Sequence, residues 1–212
     1  EAQVSRWVSE RDGGIYDAMN KGIALSTGRY VKLLNADDVL PADSVERAVA
    51  AFRSLPTDAC VLGDVALMTS DGRAFGTMTL HGGIRYFPIF LHPSWYVPRT
   101  VYEAHGLYRT DFAVASDYEM SLRLRRAGVA FHHVGGAPLV KFRTTGASHS
   151  FRGVREGFVI NRMYQGLGPA CYVAGMHLYK KVRGRLVEGL LGDELTHRLR
   201  TAIHRRRSAK RA

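Results

Sequence analysis

The chain has 212 residues, 46% hydrophobic and 23% charged, which suits one globular domain with a real core. No apolar run reaches the roughly 20 residues a membrane span needs, and the two cysteines, Cys60 and Cys171, have neither metal nor redox spacing. That sets aside a membrane-spanning protein and a disulfide scaffold, and leaves two reduced thiols in a cytoplasmic protein as the expectation. The net charge of +11 is uneven: from Lys180 onward 11 Lys/Arg stand against 3 Asp/Glu, so the body is nearly neutral and the tail strongly basic.

In chain order, a polar, glycine-containing turn precedes a helix with Ile15, Met19 and Ile23 at four-residue spacing, for which Gly28 is the expected stop. Tyr30-Val31-Lys32-Leu33-Leu34 reads as a buried strand that runs into Asn35-Ala36-Asp37-Asp38. The next helix has Asp43 and Glu46 in capping-box spacing, with Val45, Ala48, Val49 and Phe52 on one face. CVLGDVALMTSDGRAFGTMTL reads as two strands joined at Ser70-Asp71-Gly72, a hairpin signal. HPSWYVPRTVYEAHGLY predicts a short strand and a helix that ends at Gly106. ASDYEMSLRLRRAG predicts a helix opened by Ser116, with Glu119 as cap partner and Gly128 closing it. VAFHHVGGAPLVKFR is strand-like. Helix, strand and turn alternate, so an α/β layered fold is expected, with ligands beyond the carboxyl ends of the strands.

Asp37 and Asp38 fall at such an end. As ordinary turn acids they would favour the dipole of the following helix. Adjacent carboxylates closing an apolar strand, however, repel each other and are costly to desolvate without a cation. An oxygen-rich site of this kind suits Mg²⁺ or Mn²⁺, which keeps positions open for phosphate oxygens.

GGIYDAMNKGIALSTGRYVKLLNADD resembles the nucleotide-sugar-binding region of family-2 glycosyltransferases, in particular bacterial members that build cell-envelope polysaccharides and glycolipids. Glycine turn, YDAMNKG helix, TG, strand and N-x-D-D follow in the family's order, and the resemblance runs from about residue 5 to about residue 150. It implies a GT-A fold, a Rossmann-like three-layer arrangement, over residues 1–150, with carboxy-terminal helices over 151–212. The family has a first strand and a base-gripping acid ahead of the point where Glu1 stands, so an amino-terminal part is expected to be missing.

The resemblance further implies a nucleotide-diphospho-sugar donor held by Asp12, Asp17, Asn20, Lys21, Asn35 and Asp37, where Asn35 stands in place of the more usual Asp. It implies a metal on Asp37 and Asp38. His149, in a loop of the sort that closes over diphosphate, is a third candidate ligand, and His92 a candidate for metal or phosphate. Trp95 and Tyr96 could stack on a sugar, with core packing the blander reading. Asp117 matches the family's catalytic base, which takes the proton of an acceptor hydroxyl in an inverting displacement. The acceptor would be a saccharide or a lipid-linked one. Two alternatives stand beside this enzyme: a truncated, catalytically incompetent fragment, and a nucleic-acid binder acting through the tail. The latter lacks a recognition motif, so no nucleic-acid partner is expected.

In the tail, Val182, Leu186, Leu190 and their neighbours keep four-residue spacing with Lys and Arg between, a basic amphipathic helix followed by HRRRSAKRA. It can dock on the core, or attach the protein to an anionic membrane at the inner face of the plasma membrane.

Overall fold

The structure is a computed structural model and describes residues 4–69, 71–79, 92–143 and 151–191. In chain order the elements are α1 (Ile15–Leu25), β1 (Tyr30–Val31), α2 (Ser44–Phe52), β2 (Cys60–Gly63), β3 (Val65–Met68) and β4 (Ala74–Met78). A 3₁₀ turn (His92–Ser94) leads to β5 (Val97–Pro98), α3 (Arg99–His105), α4 (Ser116–Arg126), β6 (Phe131–Val134), β7 (Val140–Arg143), α5 (Phe151–Gln165) and α6 (Leu167–Leu191).

Period-two alternation along β2 builds the layers. Cys60 and Leu62 face a cluster with Tyr16 and Ile23 of α1, Val101 and Tyr102 of α3, and Met120 and Leu124 of α4. Val61, between them, faces the other way, onto Ala48 and Phe52 of α2 with Tyr96 and Leu139. Trp95 and Val97 fall in the first cluster and Tyr96 in the second, so the same alternation carries past β5. Helices therefore cover both faces of the central strands, the expected α/β/α layering.

β2 runs parallel to β6, β3 runs parallel to β7, and β3 pairs antiparallel with β4. The hairpin expected at Ser70-Asp71-Gly72 is that β3–β4 pair, with Gly72 at φ +82° and the Thr69 N–H bonded to Arg73 O at 3.0 Å. β2 and β3 form one chain path broken at Asp64. At Gly63 an added Cβ would lie 2.6 Å from Leu139 Cγ, so only glycine lets the Leu139 segment pass this close.

Several boundaries differ from expectation. α1 stops at Leu25, three residues before Gly28, with the Ser26 N–H bonded to Gly22 O and Ile23 O. The strand expected over 30–34 is paired only at Tyr30 and Val31, against Pro98 and Val97 of β5. The segment 129–143 is two strands, β6 and β7, in separate pairings. Neither expected capping box forms. Asp43 makes no side-chain cap bond and lies 3.6 Å from Arg47 instead. α4 starts without a side-chain cap, the Ser116 hydroxyl is buried without a hydrogen-bond partner among the described residues, and Glu119 is fully buried against Arg123 at 3.1 Å and the Tyr164 hydroxyl. Burial decides here: an acid turned into the core takes the cation it meets rather than the helix end.

α5 packs on α4, with Ile160 buried against Phe112 and Leu122. α6 continues from it in a helix of 25 residues, about 37 Å long, against about 22 Å for the 15-residue α5. Among the described residues no helix is long and apolar enough to cross a membrane.

Candidate active site

Asn35-Ala36-Asp37-Asp38 is a closed turn, with the Asp38 N–H bonded to Asn35 O at 3.1 Å. The two carboxylates differ: Asp37 is exposed and Asp38 is buried. Asp38 accepts from the backbone N–H of Arg143 at 3.1 Å and the Asn35 amide at 3.3 Å. The turn thus sits at the end of β7, where Val39 and Lys141 form an antiparallel bridge. Burial raises the Asp38 carboxyl above the ordinary value, the Arg143 N–H opposes that, and Asp37 adds to it.

Lys32 points inward beside this turn. Its ammonium donates to Leu33 O at 3.0 Å and to Pro93 O, and lies 5.4 Å from the centre of the Tyr96 ring. Burial pushes Lys32 down to about 8, against the pull of Asp38. The carboxyl and the ammonium are both displaced toward neutrality, the mark of charges held in a poorly solvated place.

Asp117 opens α4 and is half-buried. Its Oδ1 accepts from the Tyr16 hydroxyl at 2.9 Å and from the N–H of Tyr118 at 2.8 Å. The preceding loop is held from α5: the Glu156 carboxylate accepts from the backbone N–H groups of Ala113, Val114 and Ala115 at 3.0, 2.9 and 3.0 Å, and from Arg152 at 2.9 Å. Burial works to raise the Glu156 carboxyl, but those donors, Val114 and Ala113 foremost, outweigh it and hold it below the ordinary value. Glu156 thus adds, from another helix, a second carboxylate beside the start of α4, where Asp117 already stands.

A chain of contacts joins these two carboxylate regions. Pro93, which receives Lys32, follows His92, whose Nε2 lies 2.9 Å from the Tyr108 hydroxyl. The Tyr108 ring stacks on Tyr16 at 5.7 Å, and Tyr16 reaches Asp117. Asn20 clamps Tyr108 through both backbone groups, donating to its C=O at 2.8 Å and accepting from its N–H at 2.9 Å. His92 is buried, and that burial depresses its imidazole, against the raising effect of Asp117. It is a core histidine in this structure. Trp95 and Tyr96 are likewise buried, in the two core clusters.

The remaining candidates gather elsewhere. The Lys21 ammonium is 2.7 Å from Glu10, 3.0 Å from Asp12 and 3.2 Å from Asp17. Asp17 also accepts from the Gly13 N–H at 2.9 Å, and that bond, followed by Lys21, lowers its carboxyl. Asp12 and Lys21 help line a cavity of about 400 Å³ beside α1, to which Asn35, Asp37, Asp38 and Asp117 do not contribute. The candidates therefore form separate groups: Asp12, Asp17 and Lys21 pair with one another beside α1, Asn20 faces Tyr108, and Asn35, Asp37 and Asp38 sit at the end of β7. His149 lies outside the described residues.

Among the described residues no three His, Cys, Asp or Glu side chains form a metal cluster. Asp37 and Asp38 still fit a magnesium-type ion, which takes one or two carboxylates from the protein and the rest of its oxygens from phosphate and water. Asp38 is buried with a raised carboxyl and would gain from such a charge beside it.

Four contributors escape the sequence reading: Tyr16, Tyr108, Lys32 and Glu156. Tyr16 shares the inward face of α1 with Met19, Asn20 and Ile23, so helical spacing places it inside but does not name its partner. Glu156 is the only acid between Phe151 and Val182, a signal that a pairing is needed without saying with what.

Residues 4–94 match the glycosyl transferase family 2 profile. A PGL/p-HBAD biosynthesis glycosyltransferase of Mycobacterium bovis is 30% identical over 115 residues, 54% of this chain and 44% of that protein. An uncharacterized glycosyltransferase of Mycobacterium tuberculosis is 31% identical over 134 residues, 58% of this chain and 48% of that protein. The chain thus spans about half the length of the curated relatives it matches. Among solved structures, S. aureus TarS 1-349 in complex with UDP superposes with a TM-score of 0.54 at 9% identity, covering 81% of this chain and 52% of that one. At that identity the likeness is one of fold.

Proposed function

We propose, from the match of residues 4–94 to the glycosyl transferase family 2 profile and from the GT-A fold, that this chain transfers a sugar from a nucleotide-diphospho-sugar to a hydroxyl acceptor. The observation that carries the reading is the linkage of the carboxylate turn, with Asp38 buried and Asp37 exposed, to the half-buried Asp117 through Lys32, the Pro93 carbonyl, His92, Tyr108 and Tyr16. In the proposed reaction the acceptor oxygen bonds to the anomeric carbon while its proton passes to Asp117. The bond from that carbon to the diphosphate breaks and its electron pair leaves with the nucleoside diphosphate. One displacement by one base gives inversion.

Asp37 and Asp38 would hold the divalent ion, which supplies charge to offset that developing on the leaving diphosphate. Lys32 keeps a second positive charge in the same region when protonated. Asn20 and His92 do their work one step back, by fixing Tyr108 beneath Tyr16. UDP is the first nucleotide to test, because TarS has been crystallised with UDP and with UDP-GlcNAc. Titration of UDP with and without Mn²⁺, followed by a screen of sugar nucleotides for nucleotide release, tests the proposal. Metal-dependent UDP binding and release on acceptor addition are expected. Binding with no release would favour the alternative of an incompetent fragment, and the absence of both would remove the donor-site reading.

A second reading concerns location, in synthesis of a cell-envelope polysaccharide or glycolipid. The α5–α6 pair exposes Phe151, Val159, Met163, Leu167, Tyr172 and Tyr179, with Arg152, Arg155 and Arg162 also exposed, while Glu156 is buried. An apolar and basic surface of this kind suits an anionic membrane face, and the sequence from Val182 onward is itself strongly basic. Flotation on liposomes tests it: binding should require acidic lipid, weaken with salt, and fall on deletion of residues 182–212. Flotation unaltered by that deletion would remove the role of the tail.

A further inference from the structure

The Tyr16 hydroxyl has one proton and two acceptors within reach, Asp117 Oδ1 and Val114 O, each at 2.9 Å. It cannot donate to both at once. An ionised carboxylate is the stronger acceptor, so the proton points to Asp117 while that residue is charged. Once the carboxyl is neutral, the Val114 carbonyl offers an equally near alternative. Oδ1 also accepts the Tyr118 N–H at 2.8 Å, whereas Oδ2 has no hydrogen bond among the described residues.

We propose that Tyr16 is a positioning residue for Asp117. It holds Oδ1 so that Oδ2 faces the incoming proton, and transfers its hydrogen bond to Val114 O when Asp117 becomes protonated. The inference rests on the reading of Asp117 as the base of glycosyl transfer.

The surroundings make this geometry rigid. The Tyr16 ring is buried and stacked on Tyr108, which Asn20 clamps at the backbone and His92 holds at the hydroxyl. Val114, the alternative acceptor, is itself fixed by the Glu156 carboxylate. The hydroxyl proton therefore chooses between two stationary oxygens, and rotation about one C–O bond suffices. Among the described residues, the other charged or titratable groups around Asp117 and Tyr16 are His92 and Tyr108, with Lys32 acting on His92 and Tyr102 on Tyr108. None of the four hydrogen-bonds Asp117. The Tyr16 hydroxyl stays protonated, because burial and then the charge of Asp117 push it up.

Two measurements on the purified protein test the inference. The first needs no turnover: the carboxyl carbon of Asp117 is titrated by NMR. Tyr16→Phe keeps the ring stack and removes the donor, so the midpoint should move to higher pH. Fluorotyrosine at position 16, a stronger donor, should move it lower. A midpoint unchanged in both variants overturns the inference, whatever the enzyme does. The second is a double-mutant cycle. Tyr16→Phe should lower kcat about 10-fold with the donor KM unchanged, and shift the acidic limb of the kcat profile to higher pH. In an Asp117→Asn background the same change should cost less than about 2-fold, because the tyrosine acts through the carboxylate. Additive losses would make Tyr16 merely structural and overturn the inference. Parental turnover in Asp117→Asn would overturn the base reading itself, and this inference with it.

Discussion

The carboxylate turn and the mouth of α4 present the same side chain under opposite conditions. Asp38 is buried with two weakly placed donors, and its carboxyl is raised, chiefly by burial. Asp117 is more open and is met by a hydroxyl at 2.9 Å and an N–H at 2.8 Å, on a loop that Glu156 pins through three backbone N–H groups. One region leaves its charge under-compensated, which suits a cation that arrives with the substrate. The other is assembled in advance, which suits a proton acceptor whose oxygen must be in place at the moment of attack. Burial of a carboxylate is therefore no guide to its role until its donors are counted.

The largest expected effect breaks the comparison on the α4 side. Asp117→Asn leaves an amide that cannot take the acceptor's proton, and turnover at saturating donor should fall roughly 10²–10⁴-fold with donor affinity nearly unchanged. Stopped or single-turnover assays decide it, and near-parental turnover would end the base assignment. On the turn side, Asp37→Ala and Asp38→Ala should remove the metal-dependent gain in donor affinity while the fold persists. Calorimetric titration of UDP with Mn²⁺ checks this, and parental binding in both variants would move the metal elsewhere.

Next in size are the two buried glutamates that brace α4. Glu156→Gln loses the charge that three backbone donors and Arg152 share, and should cost about 1–3 kcal/mol of stability in thermal or denaturant unfolding. Glu119→Gln should cost a similar amount, about 1–3 kcal/mol, because Arg123 and the Tyr164 hydroxyl lose their charged acceptor inside the core. Turnover in Glu119→Gln should stay within a few-fold of the parent at temperatures where it is folded, and a collapse there would shift the base two residues along.

The smallest effect sharpens the contrast through pH. Glu156 is lowered in the folded state, so its contribution is present above the ordinary value of 4.5 and is lost as pH falls through the folded one. Asp38 is raised from 3.8, so its contribution has the opposite sign: full at low pH, and lost as pH rises through its folded value. Melting curves of Asp38→Asn should thus show higher stability than the parent at pH 7 without metal, with the advantage vanishing toward pH 3. A parental profile would mean the desolvation of Asp38 is relieved in solution.

Local pattern alone was enough for the layered class, the positions of α1 to α4, the β3–β4 hairpin and the turn at Asp37-Asp38. Each is dictated by features a few residues apart: helical or alternating apolar spacing, and glycine at Gly72 and Gly106 where the backbone takes positive φ. Helix starts were the exception. Asp43 and Ser116 have the chemistry of caps, yet neither caps: Asp43 lies beside Arg47 one turn along the same helix, and the Ser116 hydroxyl is buried without a partner among the described residues. The breaking of one strand path into β2 and β3 at Asp64 came from Leu139, 75 residues on, closing over Gly63. Tertiary structure likewise decided that Glu119 looks inward, that Glu156 holds the loop 42 residues before it, and that Tyr16 meets Asp117 across 101 residues. Spacing rules reach one or two turns of helix, whereas a hydrogen bond chooses its partner by where the packed core brings two distant segments together.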